Sequence, residues 1–401
     1  KLLILCFSQN IRRVFSRIFF IFLEKLLTKV GAYGIFISDV STRQPRVLTK
    51  KSGVSDMALT DRKTKILQAI IDDYILTGIP VGSRTLSKRA DLKLSSATIR
   101  NEMADLEEEG YLEQPHTSAG RMPSDKAYRL YVDTLMRVGS LSTPEREHIK
   151  AYYDEKMGEM EAVVNATAKV LSDVTHMTSL VLPPQIDRTE IKRIQIVKLS
   201  EVRGLLLFVF NTGLVKDTVI PLEPGMDESY LEMISNVLTE KVANQRLAEA
   251  VASVRSMMSR EMSEHRRFME SLLDIVQSRS RQSQRSIVLG GANNIFNHPE
   301  YRDLERARGF LQLLETKDVL YNLLDSSMDM EFTIKIGHEN GVDELKDMSV
   351  ITATYRAGND TIGSFGVIGP TRMDYARVLS VMNYIGESIN HILSNMLKPD
   401  G

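Results

Sequence analysis

The side chains with the most usable chemistry are concentrated in one stretch. Ser96, Thr98, Arg100 and Asn101 fall within two helical turns of one another. Arginine pairs with guanine through two hydrogen bonds, asparagine does the same with adenine, and small hydroxyls reach base edges or phosphate. Around them Arg84, Lys88, Arg89, Lys93 and Arg100 face the single acid Asp91, a local surplus of four positive charges. From Glu102 onward the sign reverses, through Asp105, Glu107, Glu108 and Glu109. A helix through this stretch is polarised along its length, so its N-terminal half suits a phosphate backbone and its C-terminal half is repelled by one. Just downstream, His116, Thr117, Ser118 and Arg121 offer further donors to phosphate or the minor groove.

Chemistry of other kinds is poorly served. The seven histidines are scattered, and His338-Glu339 lacks the second histidine that a zinc-protease helix places one turn on. There is no phosphate-binding loop and no nucleophile elbow. Gly358, Gly363 and Gly366 do not follow dinucleotide-binding spacing and sit where a hairpin is expected. The only cysteine is Cys6, so residues 57–401 can form neither an internal disulfide nor a thiolate metal site, which suits a reducing compartment. No enzyme, metal or cofactor is expected. Arg372 lies next to a predicted helix start, where it can hold an anion or join two parts of the fold. Arg279, Arg281 and Arg285 sit in a stretch rich in Arg, Ser and Gln, a solvated surface or a contact to DNA or a partner.

The elements that must position the first set are legible. Thr60 is a predicted N-cap, Ile66, Ile70 and Tyr74 repeat at helical spacing with Ile71 and Ile75 beside them, and Gly78 and Pro80 end the helix. Ser83 opens a second, short helix with Leu86 and Ala90 on its inner side, closed by the turn at 91–94. Ser95 starts a third, with Ile99, Met103 and Leu106 inward and Gly110 at its end. Three such helices, the last two joined by a tight turn, predict a helix-turn-helix. With Ile99, Met103 and Leu106 turned in, the reading residues fall on the outer N-terminal half of the third helix. A short strand at 111–114, turn chemistry at 115–120 and a return through Arg121–Pro123 to a helix capped by Ser124 predict a wing.

At 401 residues, 43% hydrophobic, the chain is long enough for two or three domains. Its net charge of −1 hides an asymmetry: residues 1–56 hold ten of the 51 basic and three of the 52 acidic residues, leaving 41 against 49, a net of −8, for 57–401. The densest apolar run of the basic extension, Ile18–Leu23, is far short of the ~20 residues a membrane span needs. The working chain is expected to begin at Met57, with a surface-bound targeting helix at 1–56 as the other reading. After a linker at 139–144, Thr143-Pro144-Glu145 begins a helical region to about 175. Strands are predicted at 179–182, 193–199, 204–210 and 215–221, helices over 223–298 and 301–325, strands at 332–336, 349–355 and 361–368, and a final helix at 372–396. This pattern predicts a multidomain α+β chain carrying an insertion.

The run Ser95-Ser96-Ala97-Thr98-Ile99-Arg100-Asn101-Glu102-Met103, continued through Leu106-Glu107-Glu108-Glu109-Gly110-Tyr111-Leu112 to His116-Thr117-Ser118-Ala119-Gly120-Arg121-Met122-Pro123, resembles the HrcA family of bacterial heat-shock repressors. So do Asn293-Asn294-Ile295-Phe296, Pro299-Glu300-Tyr301 and Gly369-Pro370-Thr371-Arg372-Met373-Asp374-Tyr375, so the likeness spans about 57–396. It implies a winged-helix DNA-binding domain at 57–138 and a GAF-like domain in two parts, 145–222 and 299–396. Between them it implies a mainly helical inserted dimerisation domain at 223–298. It further implies a cytoplasmic homodimer on an inverted-repeat operator, CIRCE, upstream of chaperone genes, kept active by the GroE chaperonin and released on heat stress. The competing expectation is a ligand-sensing regulator whose GAF-like strands at 178–221 and 332–368 enclose a small molecule.

Overall fold

In a computed structural model of the chain, the described residues are 59–115, 120–154, 160–185, 188–258, 268–275, 286–328, 330–357 and 360–396. The basic extension therefore lies outside them. Helix α1, Asp61–Thr77, begins where the Thr60 hydroxyl accepts from Lys63 N and ends at Gly78, whose left-handed conformation (φ 66°) lets its N–H reach Tyr74 O. Its buried stripe of Ile66, Leu67, Ile70 and Ile71 packs against α2, Ser83–Leu86, and α3, Ser96–Glu108. Helix α2 is a single turn, so the position one turn beyond Leu86 never becomes helical and Ala90, expected inside, is exposed. Strands β1, Leu112–Glu113, and β2, Met122–Pro123, pair antiparallel, with Val81 bridging to Arg121 as a third rung. Ser124 then caps α4, Asp125–Leu130, by accepting from Ala127 N.

Helix α5, Thr143–Ala151, starts at a capping box in which Ser142 N donates to Glu145 at 2.9 Å. Helix α6, Met160–Thr175, leads into β3, Thr178–Leu182. From β3 the chain leaves this sheet and builds a second one. That sheet is β4, Ile191–Ser200, β5, Arg203–Phe210, and β6, Val215–Pro221, all antiparallel in the order β4-β5-β6. Helices α7, Glu228–Val242, and α8, Leu247–Met258, and a further helical run, α9 (268–275), follow. The chain returns at β7, Val288–Gly290, which pairs with β3. After two 3-10 segments at Ala292–Asn297 and Pro299–Arg302 come α10, Leu304–Glu315, and α11, Lys317–Asp325. Strands β8, Phe332–Ile336, β9, Met348–Ala357, and β10, Asp360–Pro370, precede the closing helix α12, Tyr375–Met396.

The main sheet is five-stranded and antiparallel, in the order β7-β3-β10-β9-β8. Alternate residues of its strands feed opposite faces. Val181, Ile351, Phe365 and Val367 point into the core shared with α6 and α12, whereas Leu180, Leu182, Val350 and Ile368 meet Phe310, Leu320 and Leu324 of α10 and α11.

Three expectations need correction. The strands at 193–221 do not belong to the sheet that holds 179–182 and 332–368, so the departure from the main sheet begins near Ile191, not at 223, and the departing segment is mixed α and β rather than mainly helical. The physical reason is the outer edge of β4. Ser235 and Thr239 of α7 occupy it, accepting from Ile196 N at 2.9 Å and Ile194 N at 3.0 Å, while the Thr239 hydroxyl donates to Ile194 O. Second, β7 forms within a run read as helical. Third, the single helix expected over 301–325 is two, broken at Thr316, whose hydroxyl bonds back to Gln312 O and whose ψ of 74° is not helical.

Candidate nucleic-acid interface

Helix α3 is set by its first turn. The Ser95 hydroxyl accepts from Thr98 N at 3.1 Å and lies 2.9 Å from the Thr98 hydroxyl. One turn further in, Ile99, Met103 and Leu106 are buried against α1 and α2. The Ser96 hydroxyl is 3.1 Å from that of Ser83, joining the starts of α2 and α3. Ser96 and Thr98 are thus half-buried and hydrogen-bonded, whereas Arg84, Lys88, Arg100 and Asn101 are exposed. Among the described residues no acid lies within ion-pairing distance of Arg84, Lys88, Lys93 or Arg100. Arg89 is different: it donates to Asp73 at 2.9 Å and Asp91 at 3.2 Å, and its hydrogen bond holds the Asp91 carboxyl below the usual carboxylate range. The positive surplus therefore remains after the internal pairs are formed.

The acidic half of α3 is tied back. Glu102 meets Arg62 at 3.3 Å, and Asp105 and Glu109 share Lys63 at 3.1 and 2.6 Å. The hydrogen bonds that Lys63 donates to Glu109 and Asp105 push its pKa up. Glu107 turns the other way and takes Arg121 at 2.8 Å. Arg121 also exchanges both main-chain hydrogen bonds with Val81, at 2.8 and 2.9 Å. That approach requires the glycine before it, since a Cβ on Gly120 would lie 2.5 Å from Val81 O. His116, Thr117 and Ser118 lie outside the described residues.

The residues considered for other chemistry form a joint. Arg129 of α4 donates through Nε to Glu339 at 2.8 Å and through Nη2 to Ile334 O at 2.7 Å and to the second Glu339 oxygen. Asp125 accepts from His338 N at 3.1 Å and lies 3.0 Å from its Nδ1. Arg372 grips both oxygens of Glu300 and donates to Ile75 O at 3.1 Å, an interface role rather than an open anion site. The Tyr128 and Tyr375 rings pack 5.9 Å apart between these two points, both fully buried. Helices α1 and α4 are thereby fastened to the five-stranded sheet and the segments beside it. Asp125, Arg129 and Glu300 carried no sequence signal for this, because partners such as Arg129 and Glu339 lie 210 positions apart. Arg279, Arg281 and Arg285 lie outside the described residues. Among the described residues no group of His, Cys, Asp or Glu is arranged to hold a metal ion, and no helix is long and apolar enough to cross a membrane.

Residues 161–379 match the family described as HrcA protein C terminal domain. The "Heat-inducible transcription repressor HrcA" of Brevibacillus brevis is 41% identical over 340 residues, 85% of this chain and 99% of that one. The protein of the same name from Clostridium tetani is 42% identical over 347 residues, 86% and 98% of the two chains. A solved chain described as "Crystal structure of a hypothetical protein at 2.2 A resolution" shares the fold, with a TM-score of 0.58 at 24% identity over 84% of this chain and 100% of that one. The class these findings define is that of transcription repressors, not of enzymes. The chain belongs to the HrcA family, whose relatives carry heat-inducible repression in their name.

Proposed function

We propose that this chain is a bacterial cytoplasmic repressor of chaperone genes that binds an inverted-repeat operator, CIRCE, as a homodimer, each protomer placing α3 in the major groove. The observation that carries the reading is the division of α3: its N-terminal half presents Arg100 and Asn101 to solvent beside Arg84 and Lys88, while Glu102, Asp105, Glu107 and Glu109 are drawn back onto α1 and the hairpin. The β1–β2 hairpin is the wing of a winged helix, with His116, Thr117 and Ser118, which fall between its strands in the sequence, as donors to phosphate. The five-stranded sheet with its helices is the GAF-like part.

The second sheet supports the homodimer. Its outer face sets Val197, Leu205 and Val219 side by side across three strands, and Val197, Val215 and Val219 are 38%, 53% and 52% exposed. An apolar sheet face of this kind marks an interaction surface, and a twofold pair suits a palindromic operator. Release on heat, and dependence on the GroE chaperonin, follow if the folded state is marginal. The core between β4–β5 and α7–α9 keeps a cavity of about 40 Å³ lined by apolar side chains such as Phe208, Val242, Val254 and Leu272. Unfilled space of that order costs about 1 kcal/mol. Against ligand sensing, the Tyr355 ring, 1% exposed, occupies the main sheet's inner face and donates to Leu182 O at 2.7 Å.

Sedimentation and fluorescence anisotropy on one duplex test the reading together. Two protomers per inverted repeat, and clear preference over a scrambled duplex, are expected. One protomer per duplex, or equal binding to both sequences, contradicts it.

A further inference from the structure

Arg121 is one of the donors expected at phosphate, yet among the described basic residues of that set it alone is paired with an acid of α3. Its Nε and Nη2 both converge on one Glu107 oxygen at 2.8 Å, in a pair whose side chains are 22% and 33% exposed. Its main chain is held on both sides by Val81, and Gly120 brings that backbone too close to Val81 for any larger residue. Arg121 therefore sits where three elements meet: the α1–α2 connection, the returning strand of the hairpin, and α3.

We propose that Arg121 is a positioning residue: its ion pair with Glu107 fixes the angle between the wing and the recognition helix, and it makes no phosphate contact. The inference rests on the DNA-binding reading above. A guanidinium that swung away to grip phosphate would strand the Glu107 carboxylate, half-buried and facing a polyanion, so the exchange would lose on both counts. Among the described residues, Arg84, Lys88 and Arg100 have no such acid to abandon. The wing reaches DNA at a set angle because a charge on α3 holds its base.

The test uses the full chain and four proteins: wild type, Arg121→Ala, Arg121→Glu, and the exchange Glu107→Arg with Arg121→Glu. Anisotropy on the inverted-repeat duplex is read across a salt series, and amide hydrogen exchange at Val81 and Arg121 is read without DNA. We expect Arg121→Ala to weaken operator binding about fivefold, the scale of one partly exposed ion pair. The slope of log affinity on log salt stays unchanged. Arg121→Glu binds worse still, and the exchange returns to within about twofold of wild type. Both amides exchange faster in the single variants and recover in the exchange. A salt slope reduced by about one per bound protomer in Arg121→Ala, with the exchange as weak as Arg121→Glu, would show that Arg121 grips phosphate and overturn the proposal. Unchanged amide protection in Arg121→Ala overturns it as well. Should the wild type fail to distinguish the inverted repeat from a scrambled duplex, the DNA reading falls, and the amide measurement alone decides whether Arg121 locks the hairpin.

Discussion

At the scale of single residues, the proposed interface divides side chains expected to read bases from side chains expected to grip phosphate. Lys88 is exposed and unpaired among the described residues, at the end of the α2 turn. A residue in that position contributes charge without sequence information. Lys88→Ala should therefore weaken binding to inverted-repeat and scrambled duplexes alike and lower the salt slope by about one per bound protomer, about two for the dimer. His298 supplies a second prediction. Burial lowers its pKa from the ordinary 6.5, so the unfolded chain takes up a proton before the folded one does. Stability tied to this group is level above pH 6.5 and falls as the pH drops below it, because the unfolded state then binds more protons. Melting temperatures measured from pH 7.5 to 5.5 should decline in the wild type and decline less in His298→Gln. Equal slopes would mean that His298 is solvated in the folded protein.

At the scale of elements, what could be read in the sequence was what depends on near neighbours. Thr60, Ser95 and Ser124 were each legible as N-caps, and each accepts a hydrogen bond from the third residue on. The strand at 215–221 and that at 332–336 fall where alternation placed them. What escaped depends on contacts distant in the chain. Nothing in the alternation of Ile191–Ser200 says that Ser235 and Thr239 will take its outer edge and exclude it from the main sheet. Likewise Val288–Gly290 is a strand only because Ser179–Val181 lies beside it. Within the candidate interface, the exposure of Arg100 and Asn101 was legible from the inward spacing of Ile99, Met103 and Leu106. The restraint of the α3 acids by Arg62 and Lys63 was not, since it needs the packing of α1 against α3. The cap at Ser95 can be weighed directly: Ser95→Ala should cost about 1 kcal/mol of stability, seen as a lower urea midpoint with an unchanged slope. It should weaken operator binding too, because the same turn presents Thr98 and Arg100.

At the scale of the whole molecule, the joint formed by Arg129 with Glu339, Asp125 with His338 and Arg372 with Glu300 ties α1 and α4 to the five-stranded sheet and the segments beside it. On the proposed function, whatever orients one protomer's body then orients α3, and half-site spacing is a property of the proposed dimer. The outer face of β4–β6 is where the account places that dimer. Val219→Glu puts a charge at the β6 end of the Val197, Leu205 and Val219 row, on the face away from the protomer's own core. Sedimentation should show a shift to monomer with little change in far-UV circular dichroism. An unchanged dimer would move the interface elsewhere.

The central claim, that α3 reads an operator through its exposed N-terminal half, is tested most directly by titrating wild type and Arg100→Ala with an inverted-repeat and a scrambled duplex. The account predicts that the wild type prefers the inverted repeat strongly and that Arg100→Ala loses about 1–3 kcal/mol of that preference per half-site, while binding to the scrambled duplex changes far less. If Arg100→Ala keeps the full preference, or loses affinity equally for both duplexes, α3 does not read the operator through Arg100 and the account is contradicted.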